Sequence, residues 1–229
     1  MTHGVDEYYF FRIYCEKKNI NLQYCDALID FLKNHEGIYE PQDVSFPVLD
    51  KFLTYWFIRV YLNYNQKTVD EIINLVGEFI RWNCLSYSIE DIDKLNDIKK
   101  DLVHVMLISD KVPDLKTKIN LPKILFADNY WAKQFELDFK GNGEYITSWF
   151  AFQNSNANSD VLIKVKTKET FQMDGDICLL TSIGIKDEIV RLELFREKKA
   201  SKWNLVNIGL VYPKRAISHI LGSKLHTVE

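Results

Sequence analysis

Glycine and proline are scarce in this chain, at 9 and 5 of 229 residues. A collagen-like or low-complexity chain needs several times that share, so both classes are excluded. Cysteine is scarce too: Cys15, Cys25, Cys84 and Cys178 stand far apart, and no two make a C-x-x-C pair. Spacing therefore suggests neither a zinc site nor a redox dithiol, and a reduced, cytoplasmic setting is expected. Long uncharged apolar runs are missing. Even "FLTYWFIRVYL" is broken by Arg59 and is too short to span a bilayer. The opening "MTHGVDEYYFFRIYCEKK" lacks a basic stretch followed by an apolar one, so neither a signal peptide nor membrane association is expected. Charge of one sign is lacking as well. The net charge is -3 and the pI near 6.0, so no global field draws the chain to nucleic acid or an anionic surface. Finally, the sequence holds no G-x-S-x-G elbow, P-loop, G-x-G-x-x-G turn or H-E-x-x-H pair, and no cofactor is expected.

What is present is apolar material, 47% of residues with 14% aromatic, enough for a substantial core. Its period changes near residue 120. Before that point apolar residues recur at helical spacing, over roughly 5–17 and 21–34, then Val48, Leu49, Phe52, Leu53, Trp56, Phe57, Val60 and Tyr61, with Ser45 as cap and Pro47 in the first turn. Val69, Ile72, Ile73, Val76, Phe79 and Ile80 follow, opened by Thr68 and Glu71 at capping-box spacing. Ser88 caps a fifth helix carrying Ile92, Leu95, Ile98, Leu102 and Met106. After "SDKVPDLKTKINLP" short runs alternate between turn signals: "KQFELDF", "EYITSWFAFQ", "DVLIKVKT", "DICLLTSIGI", "IVRLELFRE" and "WNLVNIGLVYP". The expectation is an α+β chain of two domains. Residues 1–118 form a helical bundle, and 119–229 an antiparallel β-sandwich or small barrel. Charge divides likewise: residues 1–120 carry 14 Lys/Arg against 19 Asp/Glu, residues 121–229 carry 15 against 13.

One local pattern points to a known family. Tyr64-Asn65-Gln66 makes a polar turn, Thr68-Val69 opens a helix, Phe79-Ile80 with Trp82 closes it, and Ser88 to Ile92 begins the next. In this the segment 49–95 resembles the core-binding, SAM-like helical domain of tyrosine recombinases. The resemblance implies a helical DNA clamp. It does not extend to catalysis, which in that family needs an H-x-x-R pair. The five histidines here are followed at the third position by Asp6, Ile38, Leu107, Gly222 and Glu229. That family's helical domain clamps phosphates with basic residues, whereas the helical half here is net negative, which weakens DNA binding.

Few residues suggest chemistry. His219 and His226 lie seven apart near the end of the chain, with no converging donors around them. Asp174 and Asp176 flank Gly175, a spacing that suits a divalent cation and suits a hairpin turn better. Lys164, Lys166 and Lys168 alternate, which puts them on one face of a strand, and with Lys198, Lys199 and Lys202 they compose a basic binding face. A solvated sheet face whose lysines prevent edge pairing suits the row better, because no aromatic or arginine interleaves it as a stacking platform requires. On helix 52–64, Phe52, Leu53, Trp56 and Phe57 form the core stripe. Tyr55 and Ile58 point the other way, into the bundle or toward a partner. The function expected is that of a non-enzymatic binding protein whose partner is another protein or a second copy. A DNA-associated accessory factor, with weak nucleic-acid contact, comes second, and a metal-dependent hydrolase at the Asp174–Asp176 turn third.

Overall fold

The computed structural model describes residues 6–61, 64–83, 89–118, 143–152, 161–174 and 177–222. It is an α+β structure dividing into two compact units, Met1–Met106 and Leu107–Glu229.

The first unit begins with a helical hairpin, α1 (Glu7–Lys17) and α2 (Leu22–Asp30). Asp6 and Asn21 cap the two helices, their side chains accepting from the N–H groups of Tyr8 and Gln23. Between them the backbone turns at Asn19, whose φ of 54° is one that asparagine tolerates. A π turn, Phe31–His35, continues α2. Next come α3 (Phe46–Lys51), a second π turn (Phe52–Trp56) and α4 (Phe57–Val60), which form one continuous rod. Two long helices, α5 (Gln66–Asn83) and α6 (Ile89–Ser109), follow. The core gathers the expected stripes: Phe11, Leu28, Phe52, Leu53, Phe57, Val69, Ile72, Val76, Phe79, Ile98 and Leu102 are fully buried.

Three local details differ from the sequence reading. Helix α5 is not opened by a Thr68–Glu71 capping box. Asn65 caps it instead, its side chain accepting from both the N–H and the hydroxyl of Thr68, at 3.0 and 3.2 Å. The Ser45 side chain makes no capping bond. The third difference matters most. In the π turn Phe52–Trp56 the hydrogen bond runs from Phe57 N–H to Phe52 O, five residues back, so each side chain beyond it is rotated from its α-helical position. Tyr55 and Ile58 are thereby turned into the core, at 8% and 2% exposure, while Val60 is half exposed and Trp56 only part-buried. The buried Thr54 hydroxyl donates to Asp50 O at 2.7 Å within the same turn.

On the outer side of α5, Glu78 accepts from the Tyr14 hydroxyl at 2.6 Å and pairs with Arg81, with Lys18 at 4.0 Å. The Tyr14 hydrogen bond, helped by Arg81 and Lys18, holds the Glu78 carboxyl below the usual range. A carboxyl depressed on folding stabilises at pH above its unfolded value of about 4.3, and that contribution fades as pH falls through the folded value. Urea unfolding followed by helical circular dichroism should therefore lose stability more steeply between pH 5 and 3 in the wild type than in Glu78→Gln. Equal slopes would remove Glu78 from the acid response.

The second unit carries α7 (Val112–Lys118) and five antiparallel strands, β1 (Gly143–Phe152), β2 (Val161–Lys164), β3 (Thr170–Gln172), β4 (Ile189–Glu197) and β5 (Asn204–Tyr212), in the order β3-β2-β1-β4-β5. Helix α7 packs on β5. One face buries Phe150, Val190, Leu192 and Leu194, while Thr147 and Arg191 on the other are exposed, as strand alternation requires. The sheet is not closed into a barrel, and no second sheet makes a sandwich among the described residues. It does curl. Trp203 N–H donates to Gln172 O and Asp174 N–H to Trp203 O, both at 2.8 Å, a single parallel bridge between the two edges. Phe171 fills the corner, edge-to-face with both Phe150 and Trp203.

The segment expected as the strand "DICLLTSIGI" holds a helix, α8 (Ile177–Ser182), ended by Gly184 at φ 103°. A short unbroken apolar run does not distinguish strand from helix by its period. Thr181 and Ser182 turn their hydroxyls back onto the carbonyls of Cys178 and Leu179, which suits a last helical turn. A short helix, α9 (Ile217–Gly222), ends the described chain. The "KQFELDF" strand, the Ser88 cap and the Gly175–Asp176 turn lie outside the described residues.

Candidate functional site

On α1 the buried residues Tyr8, Phe11 and Cys15 follow helical spacing. The same geometry turns Tyr9 and Phe10 outward, where they are 56% and 51% exposed with their rings 6.1 Å apart. Two adjacent aromatics held at the surface forgo a large burial gain, and such side chains are frequent anchors in protein interfaces. Beside Tyr9 runs a groove of about 320 Å³ between α1 and the α2–π-turn segment, lined by Arg12, Ile29, Asp30, Lys33 and Asn34 among others. Its rim is charged but mostly self-neutralised. Arg12 pairs with Asp26 at 2.8 Å, and Lys33 pairs with Asp6 at 2.5 Å while lying over the Tyr8 ring. Asp30 differs. It accepts from the Asn34 amide at 2.6 Å, and the His35 imidazole lies 3.8 Å away.

The same hairpin carries a buried cysteine on each helix, Cys15 on α1 and Cys25 on α2. The ion pairs run antiparallel toward the turn, Asp6 with Lys33 and then Arg12 with Asp26, and the same register continued brings Cys15 level with Cys25. Both cysteines are free and fully buried. Hydrogen bonding between the two thiols lowers the Cys15 pKa, and together with burial it pushes the Cys25 thiol upward. Sequence spacing, which pointed away from a dithiol, missed this pair. The signal was available only through the hairpin, whose turn at residues 18–21 places positions 15 and 25 at one level.

The lysine face takes a different shape from the one expected. Strand β2 ends at Lys164, and the chain turns so that Lys168 has a φ of 63°. Lys164, Lys166 and Lys168 therefore do not alternate along one strand. Lys164 lies 3.4 Å from Glu169, and Lys202 lies 3.8 Å from Asp174. The parallel Met173–Trp203 bridge nevertheless sends both preceding turns toward one end of the sheet. Lys166, Lys168, Lys198 and Lys199 are exposed on those turns. Tyr55 and Ile58 offer no surface because both are buried. His219 sits on α9, while His226 and Asp176 lie outside the described residues. Among the described residues no group of three or more His, Cys, Asp or Glu could hold a metal ion. No described helix is long and apolar enough to cross a membrane.

No family model, curated protein or solved structure matches this chain.

Proposed function

We propose that the chain is a non-enzymatic protein-binding module, whose α1–α2 hairpin takes a partner segment bearing an apolar side chain next to a lysine or arginine. The observation that carries the reading is the exposed Tyr9–Phe10 pair beside the groove. Its aromatic rings supply contact area with little side-chain entropy to lose, and Ile29 supplies an apolar floor. Asp30 sets the charge preference, since it lines the groove and, among the described residues, pairs with no lysine or arginine. Selection from a displayed random-peptide library should enrich apolar–basic motifs, and Tyr9→Ser/Phe10→Ser should lose them at least tenfold. Enriched peptides that bind the double variant equally well would refute the assignment. Wild-type dimers in sedimentation that the double variant abolishes would transfer the same surface to a second copy of the chain.

A second reading, weak contact with nucleic acid, is favoured by the four exposed lysines at one end of the sheet. On the 49–95 segment, where the recombinase resemblance would put DNA, Lys94 is tied to Asp91 at 2.8 Å and Arg81 to Glu78. Duplex binding by the full chain should then be in the micromolar range or weaker at physiological salt and steeply salt-dependent. Replacing Lys166, Lys168, Lys198 and Lys199 by alanine should abolish it. Tight binding that survives those four changes would move the contact to the helical unit and promote the accessory-factor reading.

A further inference from the structure

We propose that Cys15 and Cys25 are a reversible dithiol–disulfide pair, a modification site that fastens α1 to α2 when a peroxide oxidises it. Two observations converge. The two residues face each other across one hairpin, in sequence with the Asp6–Lys33 and Arg12–Asp26 contacts. Both side chains are fully buried, so their partners are fixed by packing rather than by chance collision. Between the two, the Cys15 thiol is the one whose pKa is lowered, by its interaction with Cys25, so Cys15 is taken as the sulfur that attacks.

The chemistry balances with one peroxide and two thiols. Cys15 gives up its proton, and its thiolate sulfur attacks one peroxide oxygen, breaking the O–O bond. With hydrogen peroxide, the departing hydroxide takes up a proton and leaves as water, and Cys15 becomes a sulfenic acid. The Cys25 sulfur then attacks Cys15 Sγ, forming the S–S bond and expelling the hydroxyl, which leaves as water with the Cys25 proton. Two electrons pass from the thiols to the peroxide. Reduction by a small dithiol reverses the step by exchange. Burial sets the rate. A small peroxide enters as the hairpin opens locally, whereas exposed Cys178 reacts without opening and serves as an internal reference.

The full chain is treated with hydrogen peroxide, unfolded, alkylated and digested without reduction, and its peptides are mapped by mass. The expected product is a peptide linking Cys15 to Cys25, 2 Da lighter than the two thiol forms by loss of two hydrogens, which dithiothreitol removes. The oxidised protein should melt several degrees higher, because a closed loop constrains the unfolded chain. In Cys25→Ala a dimedone adduct should accumulate at Cys15. Peptide mapping needs only the wild type, so a variant that folds poorly leaves the test standing. Two free thiols at 15 and 25 after Cys178 is fully oxidised would overturn the proposal. So would a disulfide joining either residue to Cys84 or Cys178.

Discussion

Truncating Phe79 to alanine is expected to destabilise the first unit by about 3–5 kcal/mol, and Trp56→Ala by about 1–2 kcal/mol. Phe79 is fully buried, edge-to-face with Phe11 at 5.0 Å and next to Trp82. Its removal empties a site between α1 and α5 that two long helices cannot collapse to fill. Trp56 is larger, and by the regular helical stripe it belongs in the core. The π turn moves it to the edge, where it stacks on Phe52 and touches Phe31 and His35 while part of the ring stays in water. The ranking is thus a measurement of helical register. Urea unfolding of both variants, followed by circular dichroism, decides it. Equal losses would mean that Trp56 is as buried as Phe79 and that residues 52–56 are ordinary α-helix.

The same rod shows what sequence pattern reveals and what it hides. Helix α5 was legible because Val69, Ile72, Val76, Phe79 and Ile80 keep one period throughout and a polar Asn65 precedes them. Strands β1, β4 and β5 were legible because alternation and flanking turns agree. The rod from Phe46 to Val60 was legible as helix but not in its facing, because one widened turn shifts every later residue and leaves no mark on composition. Three-residue β3 was too short to show a period at all. The sites followed the same division. The four exposed lysines were found, though their grouping depends on a single bridge between edges that no local pattern encodes. The thiol pair and the groove depend on which faces of α1 and α2 meet. That is a tertiary fact, and the sequence supplies only its ingredients.

Gly143→Ala should destabilise the second unit by about 1–3 kcal/mol, and Gly77→Ala should stabilise the first by about 0.5–1 kcal/mol. Gly143 opens β1 opposite Glu197, and a methyl placed on it would lie 2.3 Å from the Arg196 carbonyl oxygen and 2.6 Å from the Phe195 ring. The ring could swing aside. The carbonyl belongs to the β4 backbone and cannot move without parting the β1–β4 ladder at that end. Phe195, 8% exposed, would then meet water, and the Arg196–Glu144 pair would lose its scaffold. The site is at a strand end, so the strands can separate locally there, which holds the cost below that of a central clash. Gly77 presents the opposite case. It lies mid-way along α5, nothing stands within 4 Å of an added methyl, and the groove between α5 and α6 leaves the space open. There the glycine contributes only backbone entropy to the unfolded chain, which alanine reduces. Hydrogen exchange separates the two effects. Protection at 195–197 should fall in Gly143→Ala with α5 unchanged, and protection along α5 should rise in Gly77→Ala with the sheet unchanged. Undiminished protection at 195–197 would show that the β1–β4 pairing begins further along than Gly143 and that the close approach to Arg196 is relieved in solution.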